Sequence, residues 1–391
     1  MGAVTEWPHL SAASGPGEAT NRTLRDHIRP VVNHYDPVFI EMFARACDLL
    51  QQVYQTRHDV VIMQGETVLG MEAVAASLFS SGDRVLNLVS GVFGKWFEQF
   101  IVRYGAEPIE VAVPYNEAVD PDVVRAALKR HAGVRFLSVI HAETPSGTVN
   151  PIEPICTAAR EAGVLTIVDT ALGLGGEPFH TDAWGVDLAV SGPQKCLGGV
   201  PGLSLMAVSP AAWDAMERRR PPLRESYLSL LDWRETWVRN RTFPYTPSVS
   251  LVYALESVLA QVVEVGLDCY IARHQQIGRA CRAGIRALGL DLWAARDSIA
   301  SSAVTTIRTP AGVQAGALVR HMRERYGVRI SGGYKDLVNI TFRVGHMGAA
   351  AHPTSLAALL AILERSLADL GMPVTLGTGV GAAMAALGDW A

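Results

Sequence analysis

The sequence predicts an α/β fold in which a doubly wound, mainly parallel seven-stranded sheet forms a large domain and a smaller α+β domain follows it. Short apolar segments alternate with helical patterns up to about residue 195, which is typical of repeated strand–helix units. The strands are apolar almost throughout, as in sheets covered by helices on both faces. With 391 residues, the chain is longer than one core usually supports.

The predicted strands of the large domain are apolar runs bounded by glycine, proline or polar residues. They cover 60–63, 84–89, 108–113, 135–140, 163–169 and 188–190. Between them lie segments with apolar residues three and four positions apart, or with a capping residue such as Asp120 before Pro121, and these features predict helices. The helices cover 38–55, 68–79, 94–104, a segment from Pro121 onward, and 151–162.

Beyond about residue 248 the pattern becomes mostly helical, with a few short strands, which predicts the α+β domain. Helices are predicted at 249–265, 269–288 and 353–370, and a further helix follows the strand at 305–308 and ends at about residue 326. The strands are predicted at 305–308, 328–330 and 337–342. We therefore expect an irregular arm at residues 1–20, a large cofactor-binding domain at 21–255 and a small domain at 256–391.

Composition excludes several classes of protein. Hydrophobic residues make up 49% of the chain and charged residues 18%, which is typical of a well-buried enzyme. The net charge is only −4 and no basic block stands out, so we expect no nucleic-acid partner. The five cysteines form no paired motif, which predicts a reduced, cytoplasmic protein without a metal site. Neither a secretory signal nor an apolar stretch of membrane-spanning length is recognisable, so we expect no membrane partner.

The turn after the strand at 188–190 carries the main chemical signal. It reads Ser191-Gly-Pro-Gln-Lys195 and continues into a run of glycines. A lone loop lysine is usually a solvated charge, but Asp169 ends the preceding predicted strand. A lysine and an acid at the ends of neighbouring parallel strands are what a pyridoxal enzyme requires. The lysine forms the Schiff base, and the carboxylate keeps the pyridine nitrogen protonated.

Other polar residues also follow predicted strands. Gln64-Gly65-Glu66-Thr67 lies between a strand and a helix, an arrangement that points backbone N–H groups at an anion, although a plain structural turn explains it equally well. Thr144 follows the strand at 135–140. Ligands of doubly wound sheets bind beyond the carboxyl ends of the strands, so we expect Glu66, Thr144, Asp169 and Lys195 to share one site.

These motifs resemble those of the class V group of fold-type I pyridoxal-phosphate aminotransferases. The resemblance extends over nearly the whole chain and includes Ser191–Lys195, His141–Gly147, Asp169 and Phe342–Gly348. Further motifs, among them Gly65–Gly70 and Phe243–Ser248, are similar to those of the pyridoxamine–pyruvate aminotransferases within that group.

The resemblance implies bound pyridoxal 5′-phosphate and a homodimer whose subunits complete each other's active sites. Lys195 would form the Schiff base and transfer the substrate proton, Asp169 would bind the ring nitrogen, and Arg343 would grip the α-carboxylate of an amino acid. The cofactor-binding positions implied are Gly65, Glu66, Thr67, Phe93, Thr144, Asp169, Gln194, Lys195 and, from the partner subunit, Thr246. The substrate-facing positions are Arg343, Tyr334 and Glu66.

Two positions depart from the pattern. Glu66 places a carboxylate where a phosphate would lie, which suits unphosphorylated pyridoxal or pyridoxamine, whereas Gln194 resembles the phosphate-binding members. Tyr334 stands where the pyridoxamine-using group has a second substrate-facing arginine, so a bulkier or aromatic second substrate is expected.

Transamination between an α-amino acid and a keto acid or aldehyde is the first functional hypothesis, ahead of pyridoxamine–pyruvate transamination itself. The alternative is β- or γ-elimination followed by carbon–carbon bond formation (annulation), on an amino acid such as S-adenosylmethionine with a pyridinium-ring partner. A nicotinamide-dependent oxidoreductase is supported only by Gly173–Gly176 and Gly377–Gly381, neither of which opens an N-terminal βαβ unit. A non-catalytic binding module would not need the Asp169 and Lys195 pair.

Overall fold

A computed structural model describes residues 9–390, so the first eight residues of the predicted arm lie outside the described part. The strands in chain order are β1 (Leu10–Ser11), β2 (Asp59–Gln64), β3 (Arg84–Val89), β4 (Glu107–Ala112), β5 (Val134–Ile140), β6 (Ala142–Glu143), β7 (Thr148–Val149), β8 (Leu165–Asp169), β9 (Leu188–Ser191), β10 (Leu203–Val208), β11 (Val304–Arg308), β12 (Val328–Arg329), β13 (Ser331–Gly332) and β14 (Thr341–Gly345).

The α-helices in chain order are α1 (Asn21–His27), α2 (Pro37–Tyr54), α3 (Thr67–Leu78), α4 (Val92–Arg103), α5 (Pro121–Arg130), α6 (Ile152–Glu161), α7 (Thr181–Trp184), α8 (Pro210–Arg218), α9 (Leu230–Trp233), α10 (Val249–Val265), α11 (Leu267–Ala287), α12 (Ala315–Tyr326), α13 (Pro353–Asp369) and α14 (Thr378–Leu387). Several begin at the capping residues expected of them. The Asp120 side chain, for example, accepts a hydrogen bond from the Asp122 amide at the start of α5.

The central sheet has seven strands in the order β2-β10-β9-β8-β5-β3-β4. Every pairing is parallel except those of β10, which runs antiparallel to both β2 and β9. The predicted mainly parallel α/β fold is therefore confirmed. Because β10 reverses the direction twice, β2 runs the same way as β9, and its carboxyl end meets those of β5, β8 and β9 at one edge.

The strand β10 was not located from the sequence. Its six residues are all buried, and it directly follows the glycine-rich turn after Lys195. A short apolar run without alternation does not reveal by itself whether it forms a strand or part of a buried helix. The antiparallel neighbours of β10 decide its conformation, and one of them, β2, comes from a distant part of the chain.

A smaller sheet, β11-β14-β13, is antiparallel and packs against helices α11 to α13. It has its own apolar core, which includes Ile277, Leu318, Phe342 and Leu360, and which Ala12 of the N-terminal segment joins. The strand predicted at 337–342 is wrong in position. Residues 335–337 form a 3₁₀ turn and the strand runs from Thr341 to Gly345, because Val338 and Ile340 are exposed and do not pair.

The predicted boundary between domains at residues 255 and 256 falls within α10 and remains a prediction. The first core extends along the chain as far as Val262, and the second contains Ile277 as its first residue after α10. One helix thus leads from one core towards the other.

Helix α14 was also not predicted. Its glycines at 377–381 entered the sequence analysis only as weak support for a nicotinamide-binding motif, and the structure gives one of them, Gly379, a packing role. A Cβ added to Gly284 of α11 would lie 2.8 Å from the Gly379 carbonyl oxygen, so the two helices can approach closely only without side chains at this contact.

Among residues 9–390, no single helix combines the length and the apolar character needed to cross a membrane. Helices α10 and α11 have that length and apolar character only when taken together, and the pair is bent by 87°.

Candidate active site

A cavity of about 310 Å³ opens at the sheet edge where the carboxyl ends of β2, β5, β8 and β9 meet. The predicted site residues that line it are Glu66, Thr67, Phe93, Thr144, Asp169, Gln194 and Lys195. They come from five separate segments of the chain, and parallel strand order is what brings them together.

Lys195 lies four residues beyond the end of β9, on a turn that points its amine into the cavity. Its Nζ donates a 2.8 Å hydrogen bond to the backbone carbonyl oxygen of Ser14. Burial, together with the positive charge of Arg343, lowers the pKa of the Lys195 amine to about 8. A substantial fraction of the neutral amine is therefore present near neutral pH, and the neutral amine is the nucleophilic form.

Asp169 is the last residue of β8 and is 9% exposed. Burial raises the pKa of its carboxyl to about 6, while a 2.8 Å hydrogen bond from the Ala171 amide to Oδ1 acts in the opposite direction. Above pH 6 the side chain is mostly a carboxylate. A buried carboxylate in this cavity favours a ligand that presents a positively charged N–H group.

The start of α3 forms one corner of the cavity. Glu66 is the N-cap residue, and its side chain makes no capping hydrogen bond. Of the helix amides that follow, Leu69 donates to the Glu66 carbonyl oxygen at 2.8 Å and Gly70 donates to Ser204 Oγ at 3.0 Å. Gln194 Nε2 donates to Thr67 Oγ1 at 3.0 Å, and Gln194 Oε1 is buried without a hydrogen-bond partner among the described residues. A buried amide oxygen without a partner is a feature of a site built for a polar ligand group.

Arg343 belongs to β14 and is only 8% exposed. Its Nε and Nη2 donate to the Gly332 carbonyl oxygen at 3.0 and 2.8 Å, and Nη1 donates to the Thr144 carbonyl oxygen at 3.4 Å. Burial lowers the pKa of this guanidinium to about 10. No acidic side chain within residues 9–390 forms an ion pair with it, so a buried cation beside the cavity has only carbonyl partners.

Tyr334 is 42% exposed and is not one of the residues that line the cavity. Its ring stacks on that of Phe93, which does line it, with a centroid distance of 6.3 Å and an interplanar angle of 26°. The predicted substrate-facing position of Tyr334 therefore lies next to the cavity wall, beyond the ring of Phe93.

Phe93 is held by a residue to which sequence reasoning gave no role. Glu143 is fully buried, and its two carboxyl oxygens accept hydrogen bonds from the Phe93 and Gly94 amides at 3.2 and 2.8 Å. Burial raises the pKa of Glu143 to about 7. The only sequence signal was an acid inside the otherwise uncharged motif His141–Gly147, and its partner amides, some 50 residues away, could not be foreseen.

The N-terminal segment forms another wall that the sequence did not predict. Gly15 and Pro16 line the cavity, and a Cβ added to Gly15 would overlap Lys195 Nζ. The Ser14 amide and hydroxyl donate to Ser331 Oγ at 3.0 and 3.1 Å, which ties the segment to β13. Ser331 pairs in register with Arg343, so the segment links the lysine to the strand of the arginine.

Two predicted cofactor residues lie elsewhere. Gly65 precedes Glu66, the N-cap residue of α3, and its amide donates a 2.7 Å hydrogen bond to the Gly202 carbonyl oxygen. Thr246 lines a separate cavity with Gln64, Tyr227 and Tyr245, and the two tyrosine rings stack at 4.0 Å. The structure does not bring Thr246 to the Lys195 cavity of the same chain, which leaves its role in a partner subunit's site as a prediction.

The residues present fit a pyridoxal group. Lys195 supplies an amine for its aldehyde, Asp169 a carboxylate for its ring nitrogen and Phe93 an aromatic face for its ring. The start of α3 and Gln194 supply polar groups for the substituent of the ring, phosphorylated or not.

Comparison with known proteins agrees with this chemistry. The family model Aminotransferase class-V matches residues 29–347. The chain is 41% identical to the pyridoxamine–pyruvate transaminase of Mesorhizobium japonicum, over 97% of each sequence. Among solved structures, the pyridoxamine–pyruvate aminotransferase of Mesorhizobium loti superposes with a TM-score of 0.96 at 41% identity, covering 99% of this chain and 98% of that one. The ureidoglycine–glyoxylate aminotransferase of Bacillus subtilis superposes with a TM-score of 0.94 at 27% identity over the full length of both chains.

The match to the family model covers most of the chain, and the cavity holds the lysine and acid that the cofactor needs. The protein therefore belongs to the class V aminotransferase family and is a pyridoxal 5′-phosphate-dependent transferase.

Proposed function

We propose that the protein transaminates an α-amino acid, with Lys195 as the amine that binds the cofactor covalently. The observation that carries this proposal is Arg343, a buried guanidinium without an acidic partner among the described residues, whose charge acts on Lys195. An α-carboxylate can accept two parallel hydrogen bonds from the planar guanidinium fork and neutralise its charge. It would do so next to the amine where the chemistry takes place.

The chain's own residues divide the work between them. Bound pyridoxal phosphate supplies an aldehyde that condenses with amines and a ring that accepts electrons from the substrate. Asp169, ionised above about pH 6, would hold the proton on the ring nitrogen. Lys195 Nζ, with its lowered pKa, can take a proton from the substrate Cα and return it elsewhere. Phe93, which lines the cavity, would cover one face of the ring.

The N-terminal segment would help to exclude water from the site. Gly15 and Pro16 cover the cavity on the Lys195 side, and Ser14 fixes the amine through its carbonyl group. Such exclusion would protect the cofactor–substrate bond from hydrolysis and strengthen the interaction of Asp169 with the ring nitrogen.

The names of the relatives support a short 2-oxo acid as amino acceptor, since they pair an amine with pyruvate or glyoxylate. Tyr334, whose ring stacks on Phe93 of the cavity wall, favours a larger or aromatic group on the other substrate. We therefore place pyridoxamine–pyruvate transamination itself behind transamination of a larger amino acid, with a homodimer as the working assembly.

A second candidate is elimination from an amino acid such as S-adenosylmethionine, followed by carbon–carbon bond formation with a pyridinium-ring partner. The stacked Phe93 and Tyr334 rings favour it, because aromatic faces attract a flat cation. The two reactions differ in stoichiometry. Transamination converts each amino acid consumed into one 2-oxo acid, whereas elimination followed by bond formation consumes the amino acid without an acceptor.

The test is a survey of amino donors with purified holoenzyme, following the absorbance of the bound cofactor. We expect α-amino acids to convert the spectrum to that of the aminated cofactor and a 2-oxo acid to restore it. If only amines without an α-carboxylate changed the spectrum, the role proposed for Arg343 would be wrong.

A further inference from the structure

We infer that the cavity has a second compartment that binds a flat aromatic group. The substrate that carries this group is the amino donor, and the short 2-oxo acid is the other substrate. We call it the aromatic lobe and define it by Val68, Met71, Trp96, Phe97 and Phe100, all of which line the same cavity as Lys195. The inference rests on the proposed function and names the substrate class of that site.

The lobe follows from the face that α4 turns to the cavity. Phe93, Trp96, Phe97 and Phe100 are spaced three, one and three residues apart, which places them on one side of a helix. From Phe93 to Phe100 the helix rises by about 10 Å. The cavity wall therefore continues well beyond the single ring that Phe93 can cover.

The chemistry of the wall changes along this length. The polar groups Glu66, Thr144, Asp169, Gln194 and Lys195 line the cavity from the last residues of the strands and the turns that follow them. The lobe is formed by aliphatic and aromatic side chains of α3 and α4. A polar group that entered the lobe would lose water without gaining a hydrogen bond, whereas an apolar group would be stabilised by burial.

Ring geometry favours an aromatic group over an aliphatic one. The Trp96 and Phe100 rings lie 5.7 Å apart and are tilted by 43°, and Phe97 meets Phe100 edge-on at 6.1 Å. Trp96 also lies 6.0 Å from Phe93, so the rings form a continuous series from the entrance inward. A further ring in this series can make the offset and edge-to-face contacts that aromatic pairs prefer.

The competing explanation is that the lobe is a packing defect between two helices. Phe97 and Phe100 are almost fully buried and belong to the main core, as they would in that case. An apolar defect would also favour apolar ligands over polar ones, but it would show no preference between an aromatic and an aliphatic ring of similar size. Ligand preference therefore distinguishes the two explanations.

The experiment measures competition against the amino-acid reaction of the holoenzyme by propionate, 3-cyclohexylpropionate and 3-phenylpropionate. All three present a carboxylate to Arg343, and the last two carry six-membered rings that differ in aromaticity. We expect 3-phenylpropionate to inhibit at concentrations about tenfold lower than 3-cyclohexylpropionate, and the cyclohexyl compound to inhibit better than propionate. Equal inhibition by the two ring compounds would overturn the aromatic assignment.

Two variants locate the effect in the lobe. Trp96→Leu removes an aromatic face and Met71→Phe fills the space, and each should abolish the preference for the phenyl compound. Trp390→Leu is the matched control, since Trp390 lines a different cavity. This variant should still be inhibited more strongly by the phenyl compound. An unchanged preference in both lobe variants would contradict the inference.

Failure of the inference remains distinct from failure of the proposed function. The mass of the cofactor adduct on Lys195 after borohydride reduction is measured on every variant. If the adduct forms on Lys195 but the phenyl compound is not preferred over the cyclohexyl compound, only the inference about the aromatic lobe is overturned. The absence of an adduct in the unmodified protein would overturn the proposed function itself.

Discussion

Lys195 Nζ and the Ser14 carbonyl oxygen lie 2.8 Å apart, although the two residues are separated by 181 positions in the chain. This contact places the N-terminal segment directly on the reactive amine. The same segment is tied to Ser331, the register partner of Arg343. The amine and the strand of Arg343 are therefore joined through one short stretch of backbone.

Substitution of Gly15 tests this segment. A Cβ at Gly15 would overlap the amine of Lys195, and its φ of +118° is unfavourable for other residues. We expect Gly15→Ala to slow the binding of pyridoxal phosphate to the apo protein by about tenfold or more, measured by stopped-flow absorbance. Gly316→Ala, where nothing lies within 4 Å of the added Cβ, should bind at the rate of the unmodified protein. Equal rates for all three proteins would exclude a steric role for Gly15.

The pH dependence of cofactor capture should follow the Lys195 amine. Its pKa is lowered from 10.5 to about 8, and only the neutral amine attacks the aldehyde, so the rate should rise with pH through about 8 and then level off. Because the charge of Arg343 contributes to the lowering, Arg343→Gln should move the midpoint to higher pH. A rate that continues to rise beyond pH 10 in the unmodified protein would contradict the lowered pKa.

Arg343 should distinguish amino acids from simple amines. Loss of its charge-assisted hydrogen bonds to a carboxylate should weaken the reaction of α-amino acids by about 2 kcal/mol, or roughly thirtyfold, in Arg343→Gln. Amines without a carboxylate should react as before. Arg308→Gln, an exposed position on the adjacent strand β11, serves as the control in the same spectrophotometric assay. Equal losses for amines and amino acids would point to a structural effect.

Glu143 should matter for the stability of the site. Its carboxyl accepts two amide hydrogen bonds at the positive end of α4, and Glu143→Ala would leave both buried amides without a partner. We expect a loss of about 1–3 kcal/mol in the free energy of unfolding, measured by chemical denaturation. Glu235→Ala, which removes an exposed ion pair with Arg239, should cost well below that. A cost for Glu143→Ala as small as that of the control would mean that water replaces the lost bonds.

Subunit mixing tests the predicted role of Thr246. If Thr246 completes the site of the partner subunit, a mixed dimer of Lys195→Ala and Thr246→Ala subunits contains one intact site. When equal amounts of the two variants reassociate at random, half of the dimers are mixed, so about a quarter of all sites should be intact. The activity of the mixture is compared with that of each variant alone. No gain on mixing would place Thr246 outside the partner's site or rule out the dimer.

Most of the central sheet and the positions of Asp169 and Lys195 at its edge could be predicted from the sequence. Each depends on a local signal, an apolar run ended by a polar residue, and on the rule that parallel strands present their ends together. Strand β10 could not be located, because its apolar run fits a strand or a buried helix equally well and one of its two antiparallel partners, β2, lies far away in the chain. Ser14, Gly15 and Glu143 were missed for the same reason, since their contacts join segments some 50 or more residues apart.

The most direct test of the account is borohydride reduction of the purified holoenzyme, followed by proteolysis and mass analysis of the peptide that contains Lys195. We predict a pyridoxyl or phosphopyridoxyl mass on that peptide and its loss in Lys195→Ala, with the mass itself identifying the vitamer. An adduct on another lysine, or none at all, would contradict the assignment of Lys195 as the cofactor-binding amine.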